Sequence, residues 1–517
     1  MQRIKEIGSN FWLRQEDISD KRHCTITPDL FNCHGSDYVW LSSGRSAISF
    51  IIDTIEQRNP SVNKRVCVPA FTCHTVFEPF LNAGYEVHSL PVETDLRSDA
   101  GRVLETIVRI NPGIVVFHRY FGFDTLPDIS QLVSDIKRLG IIVIEDVTQC
   151  LYSSFQRLDA DYYIASIRKW CGVPDGSFAV CTEGHFRTKP ETSDTELEKA
   201  KIEASLMKCR YIEKGIGDKS EFLRKYRDAE DILISRTEPH LISETSYRVQ
   251  ANLDKESMIE QRRSNYAYLL SHLSDIVGIE PILTNLDQES VPLYFPILCD
   301  KRSKLQQLLA ENKIYAPVVW PKDSKCPEIN NESEEVYNRI LCLPIDQRYD
   351  IDDMSRIVKV ITDNYIRISW LEWEQIAPFI EQITDWEQEV IIKYHYPDIT
   401  LPRSFSRERV LNLEHYLQTG ETFFLGIMRG DRLLGYYWAY ISDFLFERTW
   451  HERSSYLSEA ARGTGLGTLS KLMALEKAKE KGCTKAKSMY APFNIPQQHI
   501  FERLGYKVSR IEVTANL

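Results

Sequence analysis

The sequence lacks the features that mark several large classes of protein. Its apolar runs are short, and the longest, residues 113–117 and 141–144, are far below the ~20 residues that cross a membrane as a helix. No five like charges stand together, and 63 Lys and Arg against 74 Asp and Glu give a formal net charge of −11. Proteins that bind nucleic acid through its phosphates are usually basic. We therefore expect neither a membrane protein nor a nucleic-acid-binding protein.

The cysteines lack the spacing of a metal site. None of the twelve is arranged as C-x-x-C, the pattern in which zinc sites usually take paired ligands from short loops. Histidine follows Cys33 and Cys73, but two isolated Cys-His pairs do not make such a site. The first residues contain no apolar stretch of a targeting signal. We expect reduced thiols, no metal and a cytoplasmic location.

Length and pattern predict at least two folded domains. At roughly 150 residues per domain, 517 residues are too many for one. From about residue 36 to 185, short apolar runs alternate with amphipathic stretches, which predicts an α/β fold with a mainly parallel sheet and helices on both faces. We predict a first domain at 1–364, with a large subdomain at about 36–240 and a small one at about 241–364, and an α+β domain at 365–517.

Three separated segments of the first domain contain what one cofactor would need. An apolar strand ends at Asp146, Lys169 follows 23 residues later, and the turn at Ser43 and Gly44 opens a helix. A carboxylate keeps a pyridine nitrogen protonated and a lysine forms a Schiff base, so this set predicts pyridoxal phosphate chemistry. Amides at the helix start, with the hydroxyl of Ser166, would hold the phosphate.

With these residues the first domain resembles the DegT/DnrJ family of sugar aminotransferases, which are pyridoxal phosphate enzymes of fold type I. The resemblance covers about residues 36–362. It rests on seven short segments: 42–47, 68–72, 118–122, 145–149, 166–169, 262–266 and 343–345. It implies transamination of a keto group, with an amino acid such as glutamate as amine donor, and a homodimer whose subunits complete each other's active sites.

The resemblance also implies roles for single residues. Lys169 would hold the cofactor covalently and move the proton of the reaction, Asp146 would contact the ring nitrogen, and Gln149 would lie near the ring hydroxyl. The phosphate would be bound by a group of four residues: Gly44, Arg45, Ser46 and Ser166.

The sequence departs from the family pattern in two places. Where family members often carry an aromatic residue that stacks on the ring, this chain has Cys73 and His74, so either His74 stacks or another residue covers the ring. The family's glycine-rich turn after the lysine is replaced by residues 172–176. The implied cofactor is compatible with both departures.

A second glycine-rich loop opens a helix in the last 150 residues, where its backbone amides could approach a pyrophosphate. About 27 residues beyond the loop, an asparagine starts a helix that ends in Leu-Gly-Tyr before a final strand. Residues 366–512 thereby resemble the GNAT acyltransferase superfamily. The resemblance implies a coenzyme A site made by five residues: Arg462, Gly463, Gly465, Gly467 and Asn494.

The acid and base of the acyl transfer stay open at this level. Many GNAT members place a tyrosine acid where this chain has Phe501, so that role is either empty or filled by Tyr490 or by water. The candidates for the base lie in the segment that leads to the loop: Glu447, His451, Glu452 and Glu459.

A transaminase makes an amine and a GNAT domain consumes one. We therefore predict a bifunctional enzyme that transaminates the keto group of a nucleotide-linked sugar and then acylates the new amine with acetyl-CoA or another acyl-CoA. Two alternatives remain: a non-sugar metabolite with another acyl-CoA, or one catalytically silent domain with a regulatory role.

Overall fold

The computed structural model describes residues 5–19, 25–236, 238–395 and 400–509. The chain forms two compact units. Unit 1 contains the described residues as far as Ser274 together with Gly278–Val360, and unit 2 contains Asp275–Val277 and the described residues from Ile361 onward. The strand expected after Tyr506 falls largely on residues 510–517, which lie outside the described residues.

The strands of unit 1 are β1 (Ile7–Gly8), β2 (Asp37–Leu41), β3 (Arg65–Pro69), β4 (Glu86–Leu90), β5 (Ile114–His118), β6 (Ile142–Asp146), β7 (Tyr162–Ser166), β8 (Ser177–Cys181), β9 (Ile279–Pro281), β10 (Phe295–Cys299), β11 (Ile314–Tyr315) and β12 (Ile340–Leu343). The helices that begin in unit 1 are α1 (Gln15–Ser19), α2 (Gly44–Arg58), α3 (His74–Asn82), α4 (Ala100–Ile110), α5 (Ile129–Arg138), α6 (Thr195–Cys209), α7 (Lys219–Ser235), α8 (Glu244–Ala251), α9 (Lys255–Leu273), α10 (Arg302–Glu311), α11 (Asn331–Arg339) and α12 (Ile351–Asn364).

Seven strands of unit 1 form one sheet in the order β2-β8-β7-β6-β5-β3-β4, and all are parallel except β8. Its central strands are buried on both faces, because alternate residues of β5 enter different cores. Val115 and Phe117 pack in one core, and Ile114 and Val116 pack in the other. Helices must therefore cover both faces, and the expected α/β class with a mainly parallel sheet is confirmed. Such a sheet gathers ligand-binding loops at the carboxyl ends of its strands.

Two smaller sheets complete unit 1. Strands β12, β10 and β9 form an antiparallel sheet in that order. Near the amino terminus, β1 pairs in parallel with β11, with Ile7 opposite Ile314.

Unit 2 is an α+β structure, as expected. Its strands are β13 (Arg367–Trp370), β14 (Thr422–Arg429), β15 (Arg432–Phe444), β16 (Glu447–Leu457) and β17 (Lys485–Lys487), which form one sheet in chain order. All neighbours are antiparallel except β16 and β17, which are parallel. Its helices are α13 (Trp373–Ile376), α14 (Ile380–Val390), α15 (Arg403–Leu411), α16 (Leu413–Gln418), α17 (Leu466–Glu480) and α18 (Ile495–Arg503).

Short helical turns connect several of these elements. They are the 3-10 turns Pro28–Phe31, Thr148–Cys150, Ile167–Lys169, Ala377–Phe379 and Glu459–Ala461, and the π turns Arg210–Lys214 and Ile391–His395. Within the described residues no helix is both long and apolar enough to cross a membrane. The same part of the chain contains no group of three or more His, Cys, Asp and Glu residues placed to hold a metal.

Candidate active sites

The candidate site of unit 1 lies at the carboxyl ends of neighbouring parallel strands. Asp146 is the last residue of β6, and Lys169 ends the turn that follows β7, the strand next to β6. The start of α2 reaches the same edge, because a Cβ atom on Gly44 would lie 3.5 Å from Cβ of Ser166. The fold thus brings together three segments that are far apart in sequence.

Thr148, to which the sequence analysis assigned no role, ties these segments to one another. Its N–H donates to Oδ1 of Asp146 at 2.9 Å, and its Oγ1 accepts from the N–H of Ser166 at 2.9 Å. Its carbonyl accepts from Nε1 of Trp170, the residue after Lys169, at 2.7 Å. Thr148 therefore fixes the carboxylate relative to the lysine turn. Its place between Asp146 and Gln149 was the available signal.

The charges of Asp146 and Lys169 are both disfavoured by their surroundings. Burial raises the pKa of Asp146, although hydrogen bonds from Thr148 oppose the shift. Burial and, to a smaller extent, the positive charge of the neighbouring Arg168 lower the pKa of Lys169. Nζ of Lys169 makes no hydrogen bond to any described residue, and its side chain is open to a cavity. A lysine with a lowered pKa is a better nucleophile at neutral pH.

The start of α2 has the form of a phosphate site. Ser43 caps the helix, and its Oγ accepts from the N–H of Ser46 at 3.1 Å. The amides of Gly44 and Arg45 donate no hydrogen bond to any described residue, as expected for the first turn of a helix. The guanidinium of Arg45 is already paired, with Nε 3.1 Å from Oε2 of Glu78.

Cys73 and His74 are neighbours in sequence but have different surroundings. His74 is exposed at the start of α3, and its pKa is raised by a hydrogen bond with Cys73 and by the charge of Glu78, against burial and the charge of Arg45. Burial raises the pKa of the Cys73 thiol, but hydrogen bonds from His74 and Thr75 and the charge of Lys169 bring it below its ordinary value. Cys73, rather than His74, is thus the residue of this pair that interacts electrostatically with Lys169.

Gln149 is buried in the turn after β6 and has a fixed orientation. Its Oε1 accepts from the backbone N–H of Phe121 at 2.9 Å. The amide nitrogen is therefore directed away from that contact and is the end left to donate to a ligand.

The cavity beside Lys169 has a volume of about 760 Å³ and is rich in cations. Its charged lining consists of Arg168, Lys169, Lys201, Lys219, Arg262 and Arg348 against only Glu230 and Asp346. Arg262 is fully buried, and its Nη2 has no hydrogen-bond partner among the residues that the structure describes. Of the residues predicted to bind the cofactor, only Lys169 lines this cavity. A cavity of this size and charge fits a small anionic molecule.

In unit 2 the candidate site lies where two parallel strands separate. The last pair of β16 and β17 is His451 opposite Lys487. Just beyond it, Oγ of Ser488 donates to Oε2 of Glu452 at 2.9 Å. Both residues line a small cavity of about 60 Å³ at this gap. The full lining is Val390, Tyr394, Glu452, Arg453, Ser454, Ser455, Ser488, Met489, Tyr490, Ala491, Asn494 and Gln497.

The glycine loop before α17 needs glycine for its backbone. Gly463 and Gly465 have φ angles of +73° and +85°, in the left-handed region that other residues rarely adopt. Gly467 lies inside the first turn of α17, where a Cβ atom would lie 3.4 Å from side-chain carbons of Ile500 and Leu457. Nε of Arg462 donates to the carbonyl of Leu457 at 2.9 Å. Free amides at the start of a long helix can hold a pyrophosphate.

Asn494 caps α18, and its Oδ1 accepts from the N–H of Gln497 at 3.4 Å. It also lines the small cavity. It therefore has a structural role that explains an asparagine at this position without a ligand.

Of the four candidates for the base, only Glu452 lines the small cavity. Glu447 pairs with Lys485, and a hydrogen bond from that lysine lowers its pKa. Nε2 of His451 is 2.8 Å from Oγ of Ser442, and burial lowers its pKa. Glu459 is exposed in the turn before the glycine loop.

Lys471 of α17, which the sequence analysis did not consider, forms a buried ion pair with Glu452. Its Nζ lies 4.7 Å from the ring centre of Phe501 and 5.3 Å from that of Tyr437. Ser455 and Gln497 also donate to Oε1 of Glu452, at 2.9 and 3.4 Å. No sequence motif marks this network, because its members come from separate elements.

The two sites belong to different classes: a lysine and a carboxylate at the ends of parallel strands, and a glycine loop beside separating strands. Residues 249–362 match the DegT/DnrJ/EryC1/StrS aminotransferase family, and residues 381–506 match the acetyltransferase (GNAT) family. The chain therefore carries an aminotransferase-family domain and a C-terminal GNAT domain, which indicates an enzyme. The predicted succession of these two domains is confirmed.

No curated protein matches the sequence. Similar solved structures include the sugar aminotransferase CalS13 from Micromonospora echinospora, with 15% identity, 70% of this chain and 100% of that chain covered, and a TM-score of 0.48. Another is Helicobacter pylori PseC, an aminotransferase involved in the biosynthesis of pseudoaminic acid, with 14% identity, 69% and 98% covered, and a TM-score of 0.49. A third is a DegT DnrJ EryC1 StrS aminotransferase from Brucella abortus, with 15% identity, 64% and 86% covered, and a TM-score of 0.47.

Proposed function

We propose that the protein transaminates a nucleotide-linked keto sugar in unit 1 and acetylates the resulting amine in unit 2. The observation that carries the first step is the meeting of Asp146, Lys169 and the start of α2 at one sheet edge. These residues fit pyridoxal phosphate. Asp146 is a buried carboxylate, and neither the amine of Lys169 nor the amides of Gly44 and Arg45 donate a hydrogen bond to a described residue.

Bound pyridoxal phosphate would supply an electron-accepting ring. Asp146 would keep the pyridine nitrogen protonated, and that cation would in turn favour the buried carboxylate. Gln149 would donate its amide to the ring oxygen. Nζ of Lys169 would hold the cofactor and, once displaced by the substrate amine, would move the proton at the substrate carbon.

The cation-rich cavity supports the proposal that the substrate is anionic. Lys169 and Arg262 both line it, and neither forms an ion pair with a described residue. A nucleoside diphosphate carries the charge that such a wall attracts. An amino-acid donor also carries a carboxylate, so both half-reactions suit the same cavity.

For the second step, acetyl-CoA would bind through its pyrophosphate at residues 462–467 and place its thioester near the small cavity. The substrate amine attacks the thioester carbonyl, the thiolate leaves, and a base takes the amine proton. We assign the base to Glu452, whose Oε2 accepts only from Ser488 among the described residues. Tyr490, which lines the same cavity, is the candidate acid.

One chain with both activities raises the local concentration of the amine at the second site. We also propose that the enzyme is cytoplasmic and works as a homodimer through unit 1. Light scattering on the purified protein tests the dimer.

Mass spectrometry tests the two steps together. The protein is incubated with glutamate, acetyl-CoA and a panel of nucleotide-linked keto sugars. We expect an N-acetylated amino sugar from the wild type, the free amino sugar from Gly465→Glu, and neither from Lys169→Ala. If no sugar reacts while pyridoxal phosphate and acetyl-CoA both bind, the sugar substrate is wrong and non-sugar ketones come next.

A further inference from the structure

Arg453 is the extra residue of a β-bulge. Along β15 and β16, Trp438 pairs with Ser454 and the next residue, Ala439, pairs with Glu452, so Arg453 has no partner in the ladder. Bulges redirect a side chain and are frequent beside active sites. Arg453 lines the small cavity together with its neighbours in β16.

The guanidinium of Arg453 is held by stacking rather than by an ion pair. It lies 4.9 Å from the ring centre of Trp438, and its Nε is buried without a hydrogen-bond partner. Across the part of the chain that the structure describes, this guanidinium makes no hydrogen bond and no ion pair. Arginine has five N–H donors in a planar fork, so the stacked group is an oriented but unused donor.

The nearby charges do not neutralise Arg453. Besides burial, its pKa is lowered by Arg409 and raised by Glu387. Glu387 is fully buried, and its carboxylate is already taken. Oε1 accepts from the hydroxyl of Tyr436 at 2.6 Å and Oε2 from Nη2 of Arg409 at 3.1 Å. Two arginines thus share one carboxylate, and the surplus charge is on Arg453, beside the cavity.

We propose that Arg453 binds an anionic group, a phosphate or a carboxylate, on the amine that unit 2 acylates. The planar fork can hold either group with two parallel hydrogen bonds. The cavity of about 60 Å³ admits such a group but not a whole substrate. The inference rests on the proposed acylation in unit 2, and it restricts the acceptor to anionic amines. The amine made from a nucleotide-linked keto sugar belongs to that class.

Calorimetry with inorganic pyrophosphate tests the binding step. The enzyme is first loaded with pyridoxal phosphate and saturated with acetyl-CoA, so that the two cofactor phosphate sites are filled. Pyrophosphate can also enter the cation-rich cavity of unit 1, which the Arg453 variants leave unchanged, so the binding curve is fitted with separate sites and the site at Arg453 is the one that differs from the wild type. The variants are Arg453→Gln, Arg453→Lys and, as a matched control, Arg432→Gln, an exposed arginine at the start of β15. A lost charged hydrogen bond lowers affinity by about 10- to 100-fold. We expect that loss for Arg453→Gln, a smaller loss for Arg453→Lys and none for Arg432→Gln.

Steady-state kinetics of acetylation then separates binding of the acceptor from the chemical step. The acceptor is the amino sugar formed from a nucleotide-linked keto sugar. For Arg453→Gln we expect a higher acceptor KM with a nearly unchanged kcat and unchanged acetyl-CoA affinity. Equal pyrophosphate affinity in Arg453→Gln and the wild type, including no binding by either, overturns the proposal. A fall in kcat at unchanged KM does so too, because Arg453 would then act on the thioester. If the wild type does not bind acetyl-CoA, that result would instead contradict the proposed function of unit 2.

Discussion

The two units arrange their candidate sites in different ways. In unit 1, side chains from separate segments converge on one sheet edge, and the candidate reactive groups are Asp146 and Lys169. In unit 2, the predicted coenzyme A loop is contiguous in sequence and offers mainly backbone amides, whose geometry depends on Gly463 and Gly465. A site made of side chains can lose its function through one side-chain change. A site made of backbone is sensitive to changes of conformation instead.

Charge is also distributed differently in the two units. Six cationic side chains line the large cavity of unit 1. Four of them form ion pairs, namely Arg168, Lys201, Lys219 and Arg348, and two, Lys169 and Arg262, form none with any described residue. In unit 2, the buried charges form compensated groups, such as Lys471 with Glu452, and leave Arg453 as the surplus. The proposed substrate of unit 1 thus meets two unpaired cations, whereas the proposed anion site of unit 2 offers one beside a neutral thioester.

Lys169→Ala has the largest expected effect, because the Lys169 side chain is proposed both to hold pyridoxal phosphate and to move the proton at the substrate carbon. We expect complete loss of transamination and of the visible absorption band of bound pyridoxal phosphate, with acetylation of an added amine unchanged. Lys199→Ala, at an exposed position of α6, is the matched control and should change neither. A retained band in Lys169→Ala would contradict the assignment.

Gly465→Ala tests the backbone character of the second site. Alanine at a φ of +85° is strained by about 1 kcal/mol or more, and the loop should change shape. We expect at least a tenfold weaker affinity for acetyl-CoA, measured by calorimetry. Gly482→Ala is the matched control, because Gly482 follows the other end of α17 with a φ of +75° and equally open surroundings.

The two glycine variants should lose similar stability, and only Gly465→Ala should lose affinity. Equal affinities would mean that residues 462–467 do not hold the pyrophosphate. The contrast between side-chain and backbone recognition would then fail.

Lys471→Met sharpens the comparison of buried charges. It leaves Glu452 without its buried cation, and breaking such a pair costs about 3 kcal/mol or more of the free energy of unfolding. Chemical denaturation of unit 2 measures the loss. Lys477→Met removes a more exposed pair with Glu480 on the same helix and should cost under about 1 kcal/mol. Similar losses in both variants would show that the Glu452 pair is not a special feature of the site.

How much the sequence could predict also differs between the units. Asp146 and Lys169 could be proposed because Asp146 ends an apolar strand of the alternating strand and helix pattern and Lys169 follows it. A carboxylate and a lysine are also the two groups that pyridoxal phosphate needs. The glycine loop was visible because its residues are contiguous. Both domain families and the mainly parallel sheet were accordingly predicted correctly.

The contacts that complete the sites could not be predicted. Thr148 joins Asp146 to Ser166 through hydrogen bonds that depend on the register of β6 and β7. The position of Arg453 results from a bulge, and no residue pattern in β16 predicts that bulge. Such contacts depend on how strands pair, and strand pairing joins residues that are distant in sequence.

Thr148→Val has the smallest expected effect and tests whether the side-chain site of unit 1 depends on its support. Valine keeps the N–H that donates to Asp146 but removes the acceptor of the Ser166 N–H. One lost hydrogen bond costs about 1 kcal/mol, and we expect that loss of stability together with a pyridoxal phosphate affinity lowered by about fivefold, the factor to which about 1 kcal/mol corresponds. Thr148→Ser keeps the hydroxyl and should restore both values, as measured by thermal unfolding and cofactor titration. If Thr148→Val loses stability but keeps full affinity, the residue supports only the fold, and the side-chain site of unit 1 does not depend on this support.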